Sequence, residues 1–306
     1  MTKKNGNSTT PALSIEQTCD ELRRIQRQRS VVIKSVNMQS NRLQAVVAGT
    51  IGYSSSMAEK DRRAKFKEAA ALIKAIDLGD HEDYTLRAVV IHSLVGIKAL
   101  RGLQDALDKE LVQWVRQLPV GTPGSGWVNH IDQRGFGEIF LGAIVGEAGD
   151  LANYANPMKL WRRLSCAPWT FDTKTLMGAT WRGGKEGKLP AAEWEAYGYS
   201  PRRRSITYLV GEGIVKQNGK GPYRSKYLQA KAAVALSHPE WDWKKCEGCS
   251  GKGHTPEGPC NTCGGSGKGC LRAHRHAMLV ATKLLLKRLW VVWNNKPDRC
   301  PTWGAW

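Results

Sequence analysis

The sequence predicts a mainly α-helical protein: an N-terminal coiled coil or helical hairpin, then a C-terminal helical domain interrupted by a small zinc-bound β-hairpin. Three observations carry that expectation. Ile15, Leu22, Ile25, Val32, Val36, Leu43 and Val46 follow a seven-residue repeat. Leu86, Val90, Ile97, Leu100, Leu107, Leu111 and Trp114 recur at helical spacings. Near the C-terminal end, four of the eight cysteines stand in two C-x-x-C pairs among glycines. With 306 residues, 41% of them hydrophobic, the chain can build a substantial core.

Taken in order, residues 1–13 lack periodicity and read as a mobile basic leader. Ser14 followed by Gln17 is a capping-box pattern, so the first long helix should begin there. Gly49 and Gly52 loosen the repeat, and helices are expected over about 57–76 and 84–118. Residues 14–118 are thus a helical stalk for packing or for pairing with a second copy, which makes a homo-oligomer the expected state. The stretch PVGTPGSG, from Pro119 to Gly126, is rich in helix breakers, so the second domain should span 127–306. In it, helices are expected at about 201–216, 223–237 and 271–293, the last packing Leu279, Leu284, Leu286 and Leu289 inward.

The charge balance narrows the partners. Lys and Arg number 46 against 27 Asp and Glu, a formal net charge of +19, which points to a polyanionic partner rather than to solubility alone. No apolar run approaches the roughly 20 residues of a membrane span, and no signal peptide precedes Ser14. A cytoplasmic protein is expected. Cys19, Cys166, Cys270 and Cys300 are scattered, as suits a reducing compartment better than a disulfide framework.

Within residues 244–270, Cys246-x-x-Cys249 and Cys260-x-x-Cys263 supply the four thiolates of a tetrahedral zinc site. A four-thiolate set leaves no open position, so the zinc should be structural, closing a helix-to-helix connection. His254, His274, His276 and Cys270 lie close enough in sequence to compete as ligands, and Lys245, Lys252 and Lys268 could touch phosphate. Each pair continues as C-x-x-C-x-G-x-G, in CEGCSGKG and CNTCGGSG. This resembles the cysteine-rich repeats of DnaJ-type co-chaperones, over the hairpin alone; the J domain and its HPD signature are not found.

The stretch DQRGFGEIFLGAIVGEAGDLANYANPMKLWRRLSCAPW is the second informative one. Gly135-Phe136-Gly137 ahead of an Ala/Ile/Val helix has the form of a helix-hairpin-helix turn, whose freed amides can face a phosphate. The longer segment resembles the C-terminal domain of the DEDD-type insertion-sequence transposases and pilin-gene invertases. Gly135, Gly137, Glu147, Gly149, Asp150, Tyr154, Leu160, Leu164 and Pro168 match its Gly-x-Gly turn, its E-x-G-D helix end and the helix and proline beyond. The resemblance implies a phage or mobile-element protein of a prokaryotic cell, associated with the nucleoid, in which the zinc hairpin is an insertion. The family's RuvC-like domain, with its four metal-holding acids, is not found, and neither is its motif serine. Ser205, beside three arginines, is the remaining candidate nucleophile, ahead of Ser165 and Ser200.

The function expected is therefore DNA binding without an evident nuclease site. Arg134, Gly135, Gly137, Lys159, Arg162 and Arg163 form the first group of expected phosphate contacts. Arg202, Arg203, Arg204, Lys216, Lys220, Arg224 and Lys226 extend the track. Trp161, Trp169, Trp181 and Trp194 alternate with these cations as possible stacking platforms. Two alternatives stand beside this: a recombinase completed by a partner chain or RNA, and a chaperone-like or RNA-binding zinc protein.

Overall fold

Helix α1 (Ile15–Thr50) begins where its cap dictates. Gln17 N donates to Ser14 Oγ at 3.1 Å and Ser14 N to Gln17 Oε1 at 2.9 Å, the reciprocal bonds of a capping box. The computed structural model describes residues 14–80, 84–118, 136–167, 199–216, 221–256, 258–260 and 262–294. They form eight α-helices and four two-residue strands, a mainly α protein. Helices α2 (Glu59–Leu78) and α3 (Tyr84–Val115) follow, then α4 (Glu138–Ala148), a 3-10 turn (Leu151–Asn153), α5 (Pro157–Arg163), α6 (Pro201–Lys216) and α7 (Pro222–Ser237). The cysteine hairpin carries β1 (Lys244–Lys245), β2 (His254–Thr255), β3 (Gly258–Pro259) and β4 (Lys268–Gly269), and α8 (Leu271–Trp293) closes the series. Among the described residues no helix is long and apolar enough to cross a membrane.

The chain divides into two compact units. One is Arg24–Leu111; the other is Met1–Arg23 with Val112–Trp306. In the first, α1 runs antiparallel to α3. Arg24 Nη2 meets Glu110 Oε1 at 2.7 Å, Arg29 pairs with Asp108 further along, and Gln39 lies beside Gly96. Helix α2 joins them through Gln44 Nε2, which donates to the Phe66 carbonyl at 2.7 Å, and through an edge-on contact of Tyr53 with Phe66.

Ile25, Val32, Val36 and Leu43 of the seven-residue repeat are buried, as are Val90, Ile97, Leu107 and Leu111 on α3. The repeat is thus satisfied inside the chain. Its two ends depart from expectation: Ile15 and Val46 are exposed, and Val47 is buried in place of Val46. A straight helix turns every 3.6 residues, so a strict seven-residue pattern drifts by about 20° per heptad, and over this length the inward face moves on by one residue.

In the second unit α8 is the central helix. Ala273, Ala277, Ala281, Leu285, Leu286 and Leu289 are buried along it, with α7, α6 and α5 packed around it. Small residues set the approach of α6: a Cβ at Gly211 would stand 2.5 Å from Met278 Cγ. Leu286 and Leu289 point inward as expected, whereas Leu279 and Leu284 are only half-buried and Leu285 takes an inner place. Three indoles fasten this packing. Trp161 donates to the Lys283 carbonyl at 3.1 Å, Trp290 to the Tyr154 carbonyl at 2.7 Å, and Trp293 to Asp150 Oδ1 at 2.8 Å.

Candidate metal centre and its cationic rim

Two copies of one local structure build the cysteine centre. In each, a C-x-x-C knuckle folds its sulfurs inward and following glycines turn backbone amides back onto them. Gly253 N donates to Cys249 Sγ at 3.2 Å, and the residue in the same place of the second knuckle, Gly267, donates to Cys263 Sγ at 3.3 Å. Thr262 N donates to Cys260 Sγ at 3.4 Å. The knuckles also exchange backbone bonds in pseudo-twofold fashion, Cys246 N to the Gly267 carbonyl at 3.0 Å and Cys260 N to the Gly253 carbonyl at 2.9 Å.

Glycine is required where the two copies interlock. Gly253 and Gly267 have φ of +80° and +68°, and a Cβ on either would come within 2.4 Å of the other knuckle's backbone. Position four after the first cysteine differs between the copies. Ser250 holds φ +50° in one, and Gly264 holds φ +68° in the other. A Cβ at Gly264 would stand 2.7 Å from the Leu228 carbonyl of α7. The second knuckle therefore lies directly on α7, a contact completed by the buried Lys231, whose ammonium donates to the Thr262 carbonyl.

The four sulfurs, Cys246, Cys249, Cys260 and Cys263, are all buried and lie within 4.8 Å of one another. Such a set can hold a metal ion. Burial pushes the Cys246 thiol up to about 12. At Cys260 burial also raises the value, but amide hydrogen bonds from Thr262 and Cys263, with the neighbouring thiols, outweigh it and draw the group down to about 6. The competing ligands stand elsewhere. His274 Nδ1 is 2.8 Å from the Tyr227 hydroxyl, His254 Nδ1 is 3.0 Å from the Lys252 carbonyl, and Cys270 forms the N-cap position of α8.

The hairpin also gathers cations. β1 and β4 pair antiparallel with Lys245 opposite Lys268, and Lys244, Lys252, Trp241 and Trp243 join these lysines around an open cavity of about 610 Å³. Lys244, Lys245 and Lys268 are exposed and Lys252 is half-buried or more open, and among the described residues Asp and Glu are absent from the cavity lining. The stem of Lys245 lies across Gly251, where a Cβ would meet it at 3.3 Å. Like charges placed directly opposite on paired strands destabilise the pair. An anion between them would reverse the sign.

The other expected phosphate contacts fare differently. Arg134, Gly135 and Lys220 lie outside the described residues, as do Trp169, Trp181 and Trp194. Gly137 is exposed at the N-cap of α4, but the acid in that helix's first turn is Glu138, held by Arg116 at 2.9 Å, which disfavours a second anion there. Phe136, between the two glycines, is buried and stacks on Phe140.

Arg202 and Arg203 are turned to an internal task. Glu147, with its side chain 2% exposed, accepts from Arg202 Nη2 at 2.8 Å, while its second oxygen meets Arg202 Nε at 2.8 Å as an ion pair without a hydrogen bond. Arg203 Nε stands 3.6 Å from the same carboxylate. Arg163 donates to the Glu147 carbonyl. Lys216 pairs with Glu212 at 2.9 Å, and Arg224, half-buried, donates to the Val215 carbonyl at 2.6 Å and covers the Tyr227 ring. Arg204 lies near the Cys166 sulfur, 3.9 Å away. Lys159 is exposed on α5, Arg162 half-exposed in its last turn, and Lys226 lines an apolar cavity considered below.

Ser205 is not set up as a nucleophile. Its hydroxyl donates to the Pro201 carbonyl of its own helix at 2.8 Å. The segment matched to the E-x-G-D motif likewise does structural work. Asp150 caps the 3-10 turn by accepting from Ala152 N and also accepts from Trp293, and the Tyr154 hydroxyl donates to the Ala148 carbonyl at 2.6 Å. Compared with known proteins, the chain has no significant match to any family model, any curated protein or any solved structure.

Sequence reasoning singled out three of the four rim lysines and missed what unites them. Lys244 carried no motif, and the opposition of Lys245 and Lys268 depends on a strand register set by the folded knuckles.

Proposed function

We propose that this protein binds nucleic acid, DNA in the first instance, through the lysine-lined cavity of the cysteine hairpin, and that the four sulfurs hold a structural zinc ion. The observation that carries the binding reading is the convergence of Lys244, Lys245, Lys252 and Lys268 on one open cavity that, among the described residues, no carboxylate lines. Two of those lysines oppose each other directly across strands. A phosphodiester chain supplies closely spaced negative charge that would neutralise them and release counterions. Trp241, stacked on His238 and covered by Arg272, and Trp243, whose Nε1 donates to the His238 carbonyl, wall the cavity beside the lysines. The net charge of +19 favours the same class of partner.

The zinc reading rests on sulfur geometry. A tetrahedral ion with bonds of about 2.3 Å sets neighbouring sulfurs about 3.8 Å apart. Cys246 and Cys260 stand 3.9 Å apart, Cys249 and Cys263 3.8 Å. Amides directed at the sulfurs would support thiolate charge. Four cysteines complete the shell, so the ion's part is structural: it would hold the knuckles together and, through Gly264 and Lys231, hold the rim against α7. The likeness to the C-terminal domain of insertion-sequence transposases is offered as ancestry, without a strand-cleaving role for these residues.

The test is the salt dependence of DNA affinity. The slope of log Kd against log salt should correspond to several phosphates, and replacing both Lys245 and Lys268 with Ala should reduce it by about two phosphates' worth, uniformly across sequences. Unchanged slope in that variant would overturn the assignment of the hairpin as the gripping face.

A further inference from the structure

A second cavity, of about 450 Å³, opens between α5, α7 and α8. Its wall is almost wholly carbon, from Trp161, Met158, Val280 and Leu284. Leu284 is half-exposed on α8 because it faces this space rather than the core. Trp161 is held in place there: its Nε1 donates to the Lys283 carbonyl at 3.1 Å, and the Lys283 ammonium stands 5.5 Å from its ring centroid. A fixed indole in an apolar recess is a ready surface for a flat ring, with no rotamer freedom left to lose.

The lining also carries charge of one sign. Lys283 and Lys287 stand one turn apart on α8, Lys226 comes from α7, and among the described residues no carboxylate lines the cavity. Lys226 and Lys283 are half-buried, so their stems add to the apolar wall. An acyl chain with a single carboxylate head needs one cation at one end. Cations contributed by two helices fit a ligand whose negative charges lie on both sides of an apolar body.

We propose that this cavity takes one unpaired nucleobase of a bound strand, with Lys226, Lys283 and Lys287 engaging the phosphates that flank it. The proposal rests on the nucleic-acid reading above and adds to it a base-accepting subsite distinct from the hairpin rim. The indole N–H is already used within the protein, and the lining amide, Asn156, has its Oδ1 occupied by Lys159 N as the cap of α5. Selection should therefore be for a base against none rather than among bases.

The experiment compares the zinc-loaded full chain on two fluorescently labelled strands of equal length, an oligothymidylate and its fully abasic counterpart. The expected result is about tenfold tighter binding of the base-bearing strand, the scale of one stacked base. Filling the cavity with Leu284→Trp should bring that ratio towards one. Because that change touches a half-buried position, Met158→Glu at an exposed part of the lining is the second variant and should do the same. Replacing Lys245 and Lys268 with Ala should weaken both strands alike and keep the ratio. Equal affinity of the unmodified protein for the two strands, or an undiminished ratio in both cavity variants, would overturn the base subsite while leaving nucleic-acid binding intact. Failure of both strands to bind would defeat the underlying reading too, and native mass spectrometry showing a retained fatty acid in the cavity would reassign it.

Discussion

Glu147 illustrates how one buried carboxylate redirects a cluster of cations. Its carboxylate meets Arg202 and Arg203 from α6, and Arg163 bonds its carbonyl, so α4, α5 and α6 are joined at this residue. Removing the acid would leave Arg203 half-buried beside Arg163 and Arg202, whose charges already act with burial to lower its affinity for a proton. Because Arg202 reaches solvent, the cost is set below that of a fully buried pair: Glu147→Ala should lose about 2 kcal/mol, read by urea unfolding. A second pair of residues tests the hairpin's two copies against each other. Gly264→Ala combines a left-handed φ of +68° with a Cβ 2.7 Å from the Leu228 carbonyl, so it should destabilise by more than about 1–2 kcal/mol. Ser250→Gly, at φ +50°, relieves strain and should be neutral or stabilising in the same thermal melts. Neither effect is legible from the C-x-x-C-x-G-x-G pattern, because the close contact of Gly264 with α7 is made between residues far apart in the chain.

At the level of elements, the cysteine hairpin should depend on the metal ion that its four sulfurs can hold. Its strands are two residues long each, too short to persist by pairing alone, and its buried cluster consists of Cys246, Cys249, Cys260 and Cys263 themselves. Cys263→Ser should therefore abolish stoichiometric zinc binding and lower the melting temperature, and a strong chelator should do the same to the unmodified protein. Metal content measured alongside the melt checks both. If the rim lysines grip DNA, the same variant should also weaken that binding, since their register follows from the folded knuckles. Helix α1 shows the opposite kind of dependence. Its start follows from Ser14 and Gln17, which cap it through local bonds. The face it buries at its far end does not, since the choice of Val47 over Val46 accumulates from helical drift over the whole length.

At the scale of the whole molecule, the excess charge reads differently once folded. The run Arg202, Arg203 and Arg204 is the densest in the sequence, yet two of its members face Glu147, and an exposed group of four lysines around one cavity lies on the hairpin instead. Affinity for DNA should consequently respond more to Lys245 and Lys268 than to Arg202, a ranking that the salt-slope measurement checks directly. The sequence by itself determined the helical class, the places where α6, α7 and α8 run, the cap of α1 and the four-cysteine centre. Periodicity, caps and C-x-x-C spacing act over a few residues and need no distant partner. Tertiary structure alone decided which cations are spent inside the protein, that Ile25, Val32, Val36 and Leu43 of the seven-residue repeat are buried within the chain, and that Trp161 and Leu284 border a cavity. Those outcomes turn on a carboxylate, a helix or a recess that sits far away in the chain and becomes a neighbour only when the helices pack.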